Sequence, residues 1–314
     1  MELVNQSSVE KSMKDIYNFL KRKYFLIRSF VISPRIYGII KYYMLYHKYL
    51  DLKNPKTFDE KLWWLKLNYF NPLMTKCTDK YGVRDYVKSC GLEDILNDCY
   101  GKFDSVEEID VKKMPDEFFL KCNHLSGGNI ICHKNDFDKK KLKKIFSHYL
   151  KSNFYYTGFE RNYKDIKPAI IAERVLRMKD NSTLLDYKFM CFEGVPKLLF
   201  LDIGVANADG THAEEYYRNI YDMSFKPVDI KETREHYDYT KIAKPENFDY
   251  MVECARILSK PFPHCRVDLY NVDGKVYFGE ITFFHGSGYN DIQPYSADLM
   301  MGSWIPMIKT NEDN

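Results

Sequence analysis

The segment from Arg266 to Thr282 is the feature that most constrains how this chain of 314 residues folds. Residues 266–271 and 275–282 have the composition of β-strands, and Asp273-Gly274 between them is a strong two-residue turn signal. The segment therefore predicts a β-hairpin whose two arms pair with each other. The pairing decides which of its charged side chains become neighbours.

Charged side chains alternate along both arms of this hairpin. Strand side chains repeat every two residues, so Arg266, Asp268 and Tyr270 share one face, and Glu280 and Thr282 share a face on the other arm. Folding can bring Asp268 beside Glu280, and two adjacent carboxylates repel each other unless a cation lies between them. Mg²⁺ often binds one or two carboxylates together with substrate phosphates, and Arg266 suits a transferred phosphoryl group or a developing oxyanion. The alternative is an exposed hairpin with scattered charges.

Composition narrows the class of protein. The length suits one large enzyme domain or two to three interlocked subdomains, and 45% hydrophobic residues are enough for a sizeable core. The 47 basic and 44 acidic residues nearly balance, which argues against nucleic-acid binding. Eight cysteines without a CxxC pair argue against a zinc ribbon or redox dithiol and favour a reduced, cytoplasmic protein. We also expect neither a signal peptide nor a membrane span.

The N-terminal part of the chain, residues 1–56, is basic, rich in tyrosine and helical in pattern. Such a segment could lie on an anionic membrane surface, as a peripheral contact at the inner face of the membrane. The alternative, which we prefer at this point, is an amphipathic helix packed on the body of the protein. Asn54-Pro55 then breaks the chain, Thr57-Phe-Asp-Glu60 predicts a capping box, and helices over 60–68 and 79–89 follow.

A loop of small residues marks the middle of the chain. Residues 118–124 and 130–133 predict two strands joined by Leu125-Ser126-Gly127-Gly128-Asn129. Glycine lets backbone N–H groups approach phosphate oxygens closely, and Lys121 just before the loop would add a positive charge. Most Ser-Gly-Gly loops are plain turns, so that alternative stays open.

The remaining elements alternate between helix and strand. They are a lysine-rich helix over 136–151, a strand over 169–176, paired strands over 184–192 and 197–202, and a helix over 247–259 that leads into the hairpin. After the hairpin, Phe283-Phe-His285-Gly286-Ser287-Gly288-Tyr289 predicts a second flexible loop.

The order of these elements resembles that of ATP-grasp enzymes, and more narrowly of the TupA-like branch, which is associated with teichuronopeptide biosynthesis. The resemblance spans roughly residues 56–304. It rests on five phrases in the right order: Thr57-Phe-Asp-Glu-Lys-Leu-Trp-Trp-Leu-Lys66, Asp79-Lys-Tyr-Gly-Val-Arg84, Phe119-Leu-Lys-Cys-Asn-His124, Ile166-Lys-Pro-Ala-Ile-Ile-Ala-Glu173 and Asp186-Tyr-Lys-Phe-Met-Cys-Phe192. It implies an α+β, ATP-grasp fold in which two α+β lobes clasp ATP, with an N-terminal helical segment.

This resemblance also implies a division of the chain into four units. They are the helical segment 1–56, an N-terminal lobe over 57–114, a small lobe with the glycine loop over 115–183, and a large lobe with the metal-binding hairpin over 184–314.

The resemblance implies a nucleotide-binding role for residues of both lobes: Arg84 or Lys88, then Lys121, Ser126, Gly127, Gly128, Glu173, Val175, Leu176, Asp186 and Lys188. Lys121 would touch phosphate, residues 173–176 would hold adenine through backbone groups, and Asp186 would contact ribose. Arg84 and Lys88 stay alternatives for the basic residue that the N-terminal lobe supplies.

The hairpin would supply the metal ligands and a catalytic arginine. Asp268 and Glu280 would bind Mg²⁺, and Thr282 stands where many ATP-grasp enzymes have an asparagine. A neutral threonine oxygen is the weaker ligand, so the number of Mg²⁺ ions, one or two, stays open. Arg266, together with Lys121, would stabilise the acyl-phosphate intermediate. The loop His285-Gly286-Ser287-Gly288 would face the substrate.

The implied activity is ATP- and Mg²⁺-dependent ligation of a carboxylate to an amine through an acyl phosphate, with release of ADP and phosphate. The expected carboxylate is a small molecule or glycan precursor, such as a uronic acid of a bacterial capsular or cell-wall polysaccharide precursor. The alternative enzyme is a glycosyltransferase of polysaccharide biosynthesis. Such enzymes commonly hold a nucleotide sugar with an Asp-x-Asp motif, for which Asp202 and Asp209 lie too far apart. A non-catalytic nucleotide-binding module would not need Arg266 beside paired carboxylates.

Overall fold

Two antiparallel sheets and their covering helices make up the fold. The computed structural model describes residues 20–207 and 209–308. The helices in these ranges are 20–31 (α1), Pro34–Tyr46 (α2), Phe58–Asn68 (α3), Pro72–Thr78 (α4), Val83–Ser89 (α5), Lys139–Leu150 (α6), Tyr155–Gly158 (α7), Phe248–Ser259 (α8) and Tyr295–Ser303 (α9). The strands are Cys99–Phe103 (β1), Glu117–Cys122 (β2), Ile130–His133 (β3), Ile170–Glu173 (β4), Leu185–Phe192 (β5), Val195–Ile203 (β6), Tyr217–Tyr221 (β7), His264–Val272 (β8) and Lys275–Thr282 (β9).

The small sheet has the strand order β1-β4-β2-β3. Its alternating strand β2 buries Phe118, Leu120 and Cys122 on one face, where Leu142 and Phe146 of α6 also pack. Lys121 therefore points away from this core. The loop between β2 and β3 is the predicted glycine loop, with φ of 91° at Gly127, a value that favours glycine.

The large sheet has the order β7-β6-β5-β8-β9, and its central strand β5 is buried on both faces. Helices α3, α4, α5, α8 and α9 contribute side chains to its core. The predicted hairpin forms its edge. Asp273 and Gly274 both have positive φ, 50° and 83°, as a tight hairpin turn requires, and Asp268 pairs directly with Glu280. A bulge after Asp268 then shifts the register.

Segment 57–114, which the sequence assigns to a lobe of its own, contributes to both cores. Helices α3 to α5 pack on the large sheet, whereas β1 pairs with β4 of the small sheet. The division into four units remains a prediction, and parts of its outer units, 1–19 and 309–314, lie outside the described residues.

Three local predictions have clear outcomes. The capping box of α3 is confirmed, because Thr57 accepts from the Glu60 amide and the Glu60 carboxylate accepts from the Thr57 amide. The helix predicted over 79–89 is wrong at its start. Asn71 caps a separate helix, α4, and α5 begins only at Val83. The strand predicted over 169–176 is β4, but it ends at Glu173.

In the described ranges, no helix is both long and apolar enough to cross a membrane.

Candidate active site between the two sheets

A cavity of about 1470 Å³ lies between the two sheets and takes its wall from both. Twelve of the residues predicted from the sequence line it: Lys121, Ser126, Gly127, Gly128, Glu173, Val175, Leu176, Asp186, Lys188, Arg266, Asp268 and Glu280. These residues are spread over 160 positions of the chain. The fold therefore brings the predicted set to one place.

The remaining predicted residues lie elsewhere. Arg84 donates to the carbonyl of Asn97 at 2.8 Å and approaches Glu173 only to 4.0 Å, and Lys88 is exposed on α5. The basic residue that this region places in the cavity wall is Lys80. Its Nζ donates to the carbonyl of Leu125 at 3.0 Å and lies 3.5 Å from Glu280. Lys80 thus joins the glycine loop to the hairpin.

The small sheet contributes one buried ion pair to the cavity. Lys121 on β2 lies 2.7 Å from a carboxylate oxygen of Glu173 on the neighbouring strand β4. Beyond Glu173 the chain leaves the sheet. The side-chain amide of Asn97 donates to the carbonyl of residue 174, and the N–H of residue 174 donates to the carbonyl of Asp98. This anchoring presents the following residues, Val175 and Leu176, at the cavity wall.

A lysine on the central strand of the large sheet lies among carboxylates. Lys188 donates to Asp186 and, at 3.0 Å, to Asp268, and it lies 3.8 Å from Asp202. Burial acts to lower the pKa of Lys188, but Asp186 and Asp268 outweigh it and raise that pKa. Burial raises the pKa of Asp186 to about 6 against the attraction of Lys188. Its Oδ1 is buried and accepts no hydrogen bond from any residue that the structure describes.

Arg266 lies against the carboxylates of the hairpin. Its guanidinium binds Asp268 in bidentate fashion at 2.7 and 2.6 Å, and also lies 3.3 Å from Glu280 and 3.1 Å from the hydroxyl of Thr282. Desolvation acts to raise the pKa of Glu280, but Lys80 and Arg266 hold it at about 2. Both hairpin carboxylates are therefore compensated by fixed cations.

A further set of buried ionisable side chains contacts Arg266 through His285. Nε2 of His285 lies 2.7 Å from Glu232, and its Nδ1 lies 2.8 Å from a nitrogen of Arg266. A guanidinium only donates, so Nδ1 accepts and the proton of neutral His285 is on Nε2, facing Glu232. Burial lowers the pKa of His285 below its ordinary value, although Glu232 opposes that shift. Glu232 also pairs with Arg218, which binds Asp202 at 2.6 and 2.8 Å.

The loop predicted to face the substrate, 285–288, is instead packed against α3. Lys66 donates to the carbonyl of Ser287 at 2.8 Å, and Trp63 donates to that of Gly288 at 3.1 Å. Gly286 lies close to Asn290, whose amide would clash with an added Cβ. His285 is buried behind Arg266 because the two share a hydrogen bond. The structure therefore places this loop outside the cavity wall.

Sequence reasoning overlooked several residues of the site. Lys80 belongs to segment 79–84, which carries part of the family resemblance. Several other basic residues near it could equally have been predicted to reach the site. Asp202 and Arg218 are far apart along the chain and meet because β6 pairs with β7 in that register. The chain does contain an Asp-x-Asp, Asp136-Phe137-Asp138, which the sequence reasoning missed. Asp138 caps α6 by accepting from the backbone at 3.0 Å.

The structure thus has two sheets around one charged cavity, and a family comparison identifies the class of protein. A family model described as TupA-like ATPgrasp matches residues 60–306. The chain belongs to the TupA-like ATP-grasp family, and the fold and family predicted from the sequence are confirmed. No curated protein matches the chain.

Solved structures similar to this chain include an L-amino acid ligase from Bacillus licheniformis, with 12% identity, a TM-score of 0.48, and coverage of 90% of this chain and 64% of that one. Another is a D-alanine–D-alanine ligase from Bacillus anthracis complexed with ATP, with 13% identity, a TM-score of 0.38, and coverage of 66% and 56%. A third is the ATP-grasp ligase PsnB complexed with a minimal precursor, with 11% identity, a TM-score of 0.39, and coverage of 78% and 67%. The chain spans less than two thirds of the first two structures.

Proposed function

We propose that this protein is an ATP- and Mg²⁺-dependent carboxylate–amine ligase. The observation that carries the proposal is the meeting, in one cavity, of Lys80, Lys121 and Lys188 with Arg266 and the carboxylate pair of the hairpin. Lysines and an arginine converging from both sheets suit a polyanion such as a triphosphate. The nucleotide would extend from the backbone after Glu173 to the hairpin.

The chemistry starts from a carboxylate, which is a poor electrophile with a poor leaving group. One of its oxygens attacks the γ-phosphorus of ATP, a P–O bond to the β-phosphate breaks, and an acyl phosphate and ADP form. The amine nitrogen then attacks the acyl carbon, loses a proton, and phosphate departs with the former carboxylate oxygen. Lys121 and Lys188 would neutralise charge on the phosphates, and Arg266 would stabilise the acyl phosphate. The sequence of steps needs no nucleophilic side chain.

The hairpin fits a magnesium ion in its donor chemistry. Asp268 and Glu280 face each other in register, and the hydroxyl of Thr282 lies 3.1 Å from Glu280. In the described ranges, no cluster of three or more His, Cys, Asp or Glu residues is arranged to hold a metal. Two carboxylates suffice for Mg²⁺ when substrate phosphates complete its shell. When bound, the ion would neutralise the charge that develops on the transferred phosphoryl group.

The substrate proposal is a uronic acid of a cell-surface glycan precursor, joined to an amine in the cytoplasm, where ATP is supplied. It rests on the family resemblance and on the large, open cavity, which exceeds the volume of ATP alone and leaves room for an acceptor. A phosphate-release screen with ATP, sugar acids and a panel of amines would identify the pair.

The decisive experiment uses a carboxylate labelled with ¹⁸O. We expect one labelled oxygen in the released phosphate, because the acyl phosphate shares that oxygen. Arg266→Ala should slow this transfer far more than it weakens ATP binding, since the arginine acts on charge that develops during the reaction. A glycosyltransferase would release a nucleoside diphosphate from a sugar donor and move no carboxylate oxygen. Unlabelled phosphate, or product formed without ATP consumption, would refute the ligase proposal.

A further inference from the structure

The helices α1 and α2 expose large apolar side chains that the fold of the two lobes does not use. We call these nine residues, each more than half exposed, the outer face: Leu20, Tyr24, Ile27, Phe30, Val31, Ile36, Ile40, Tyr43 and Met44. They include the most exposed large apolar side chains in the described residues, Phe30 at 81% and Val31 at 76%. The outer face lies outside residues 60–306, which the family model matches.

The spacing of these residues forms a stripe along each helix. On α1 the steps from Leu20 to Val31 are four, three and four residues, which is the period of one helical face. On α2, Ile36 and Ile40 continue the pattern with a step of four. A surface helix of a soluble protein normally turns such a stripe toward the core, and here both stripes point outward.

The helices are nevertheless fixed to the body by their other sides. Arg28 is buried and donates to the carbonyls of Tyr156 at 2.6 Å and Thr157 at 3.1 Å. Gly38 lies so close to the ring of Trp63 that an added Cβ would be 2.8 Å from it. Because the opposite sides of α1 and α2 pack on the body of the protein, the two apolar stripes are held facing outward.

Charge distinguishes this region from the rest of the chain. Residues 20–50 contain seven lysines and arginines and no aspartate or glutamate, whereas the whole chain has a net charge of +3. The rest of the chain is therefore net negative. Lys21, Lys23 and Arg35 are exposed. Arg22 extends the basic region by sharing a shallow groove with Lys144 and Lys151.

We propose that the outer face docks on an anionic lipid bilayer. Apolar stripes bordered by basic side chains are what a helix needs to lie in the interface of such a membrane, with its apolar residues among the acyl chains and its cations near the lipid phosphates. A symmetric dimer through the outer face is disfavoured, because it would set two identical basic faces against each other. The cavity between the two sheets would then lie close to a membrane surface. This inference concerns where the protein acts and goes beyond the ligase chemistry.

The experiment is flotation of the full chain with vesicles of phosphatidylcholine alone or mixed with phosphatidylglycerol. We expect binding to the mixed vesicles at low salt, weak binding to the neutral ones, and release by high salt. The double variant Phe30→Ser/Met44→Ser should bind the mixed vesicles about tenfold less, because it removes two inserted side chains. The matched control is Tyr295→Ser on α9, whose side chain is 62% exposed outside the outer face, and it should bind normally.

Charge and activity provide separate readouts. Arg35→Glu should reduce binding to the anionic vesicles by about fivefold or more and leave the residual binding to neutral vesicles unchanged. All these variants should keep the ATP-dependent phosphate release of the unchanged protein, so failure of the ligase proposal would not be confused with failure of this one. Absent vesicle binding, equal binding to neutral and anionic vesicles, or a dimer that Phe30→Ser/Met44→Ser dissociates would each overturn the proposal.

Discussion

The two walls of the cavity are built in different ways. The small sheet contributes one ion pair, Lys121 with Glu173, and a loop whose glycines have positive φ. The large sheet, together with Glu232 from the segment after β7, contributes a continuous set of paired and mostly buried charges in which cations and carboxylates alternate: Asp186, Lys188, Asp202, Arg218, Glu232, Arg266, Asp268 and Glu280. One wall is sparse and the other is densely paired.

This difference indicates that the two walls of the cavity have different roles. Against desolvation, Arg218 holds the pKa of Glu232 at about 2, and Lys80 and Arg266 hold that of Glu280 at about 2, so both groups keep their charge. A wall whose charges are already paired needs little reorganisation when a transition state forms. The glycine loop has fewer fixed contacts and would acquire its partners from the nucleotide. We therefore expect substitutions in the large wall to reduce turnover and those in the small wall to weaken ATP binding.

The largest effect is expected for Glu280→Gln, which removes a negative charge and hardly changes volume. It would deprive Mg²⁺ of a ligand and Arg266 and Lys80 of a partner, and we expect kcat to fall by roughly a thousandfold. Glu253→Gln on α8, which removes an exposed partner of Arg256, is the control and should keep full activity. Steady-state phosphate release at several Mg²⁺ concentrations measures both, and full activity of Glu280→Gln at low Mg²⁺ would exclude the metal assignment.

The second prediction concerns the ion pair of the small wall. Removing Lys121 alone would leave the buried Glu173 with Arg84, 4.0 Å away, as its remaining cationic neighbour, so the informative variant is Lys121→Ala/Glu173→Gln. We expect its ATP affinity to fall by about 2 kcal/mol, because a charged hydrogen bond to phosphate is lost in a poorly screened cavity. Calorimetric titration with ATP measures the loss.

Lys102→Ala serves as the control for that variant, since Lys102 is an exposed residue of β1 in the same sheet. It should bind ATP as the unchanged protein does. Unchanged affinity of the double variant would make Lys121 an ordinary structural partner of Glu173.

The contrast between the walls also explains what the sequence could predict. The hairpin could be predicted because Asp273-Gly274 specifies its turn. The register that follows from this turn would pair Asp268 with Gly279, so the direct pairing of Asp268 with Glu280 depends on the bulge after Asp268, which the sequence does not show. The glycine loop and Lys121 were readable from local composition. Of the twelve predicted residues that line the cavity, Glu173, Val175, Leu176, Asp186 and Lys188 were predicted through the family resemblance and not from local pattern.

The network of paired charges in the large wall could not be predicted in this way. Lys80, Arg218 and Glu232 reach the site through contacts between elements distant in the chain, and their local sequence resembles any charged surface. The sequence predicts His285 in a loop that faces the substrate, because the glycines on both sides of Ser287 indicate flexibility. Its side chain is instead buried against Glu232, Arg266 and Phe200, and burial is a tertiary property that local sequence does not report.

His285 provides the third prediction, with two variants that separate its two nitrogens. An asparagine amide can occupy the position of Nδ1 and accept from Arg266, whereas a glutamine amide reaches the position of Nε2 and binds Glu232. If His285 orients Arg266, His285→Gln should lower kcat about tenfold with little change in the KM for ATP, and His285→Asn should retain more activity. Equal losses in both variants, confined to thermal stability, would leave His285 a purely structural residue.

The protonation of His285 gives an independent check. An unfolded histidine binds a proton near pH 6.5, whereas burial lowers the pKa of folded His285, so below pH 6.5 the unfolded chain binds more protons than the folded one. Its contribution to stability is therefore lost as the pH falls below about 6.5. Urea unfolding at pH 7.5 and pH 5.5 should show a larger decrease for the unchanged protein than for His285→Asn. An equal decrease would show that His285 is protonated in the fold.

The smallest effect is expected in the loop of the small wall. Gly127 has a φ of 91°, and a Cβ added there would meet no atom of the described residues within 4 Å. Gly274, in the hairpin turn, has a φ of 83° and equally open surroundings, but it lies outside the cavity wall. Alanine at either position should cost about 1 kcal/mol of stability, because both strain the backbone alike. Only Gly127→Ala would bring a Cβ to the place where we propose that backbone N–H groups bind phosphate, so we expect its KM for ATP to rise several-fold at nearly constant kcat. Thermal unfolding compares the strain and steady-state kinetics compares the function. If Gly274→Ala raised the KM as much, the loop would be a plain turn, and Lys121 would be left as the phosphate contact of the small wall.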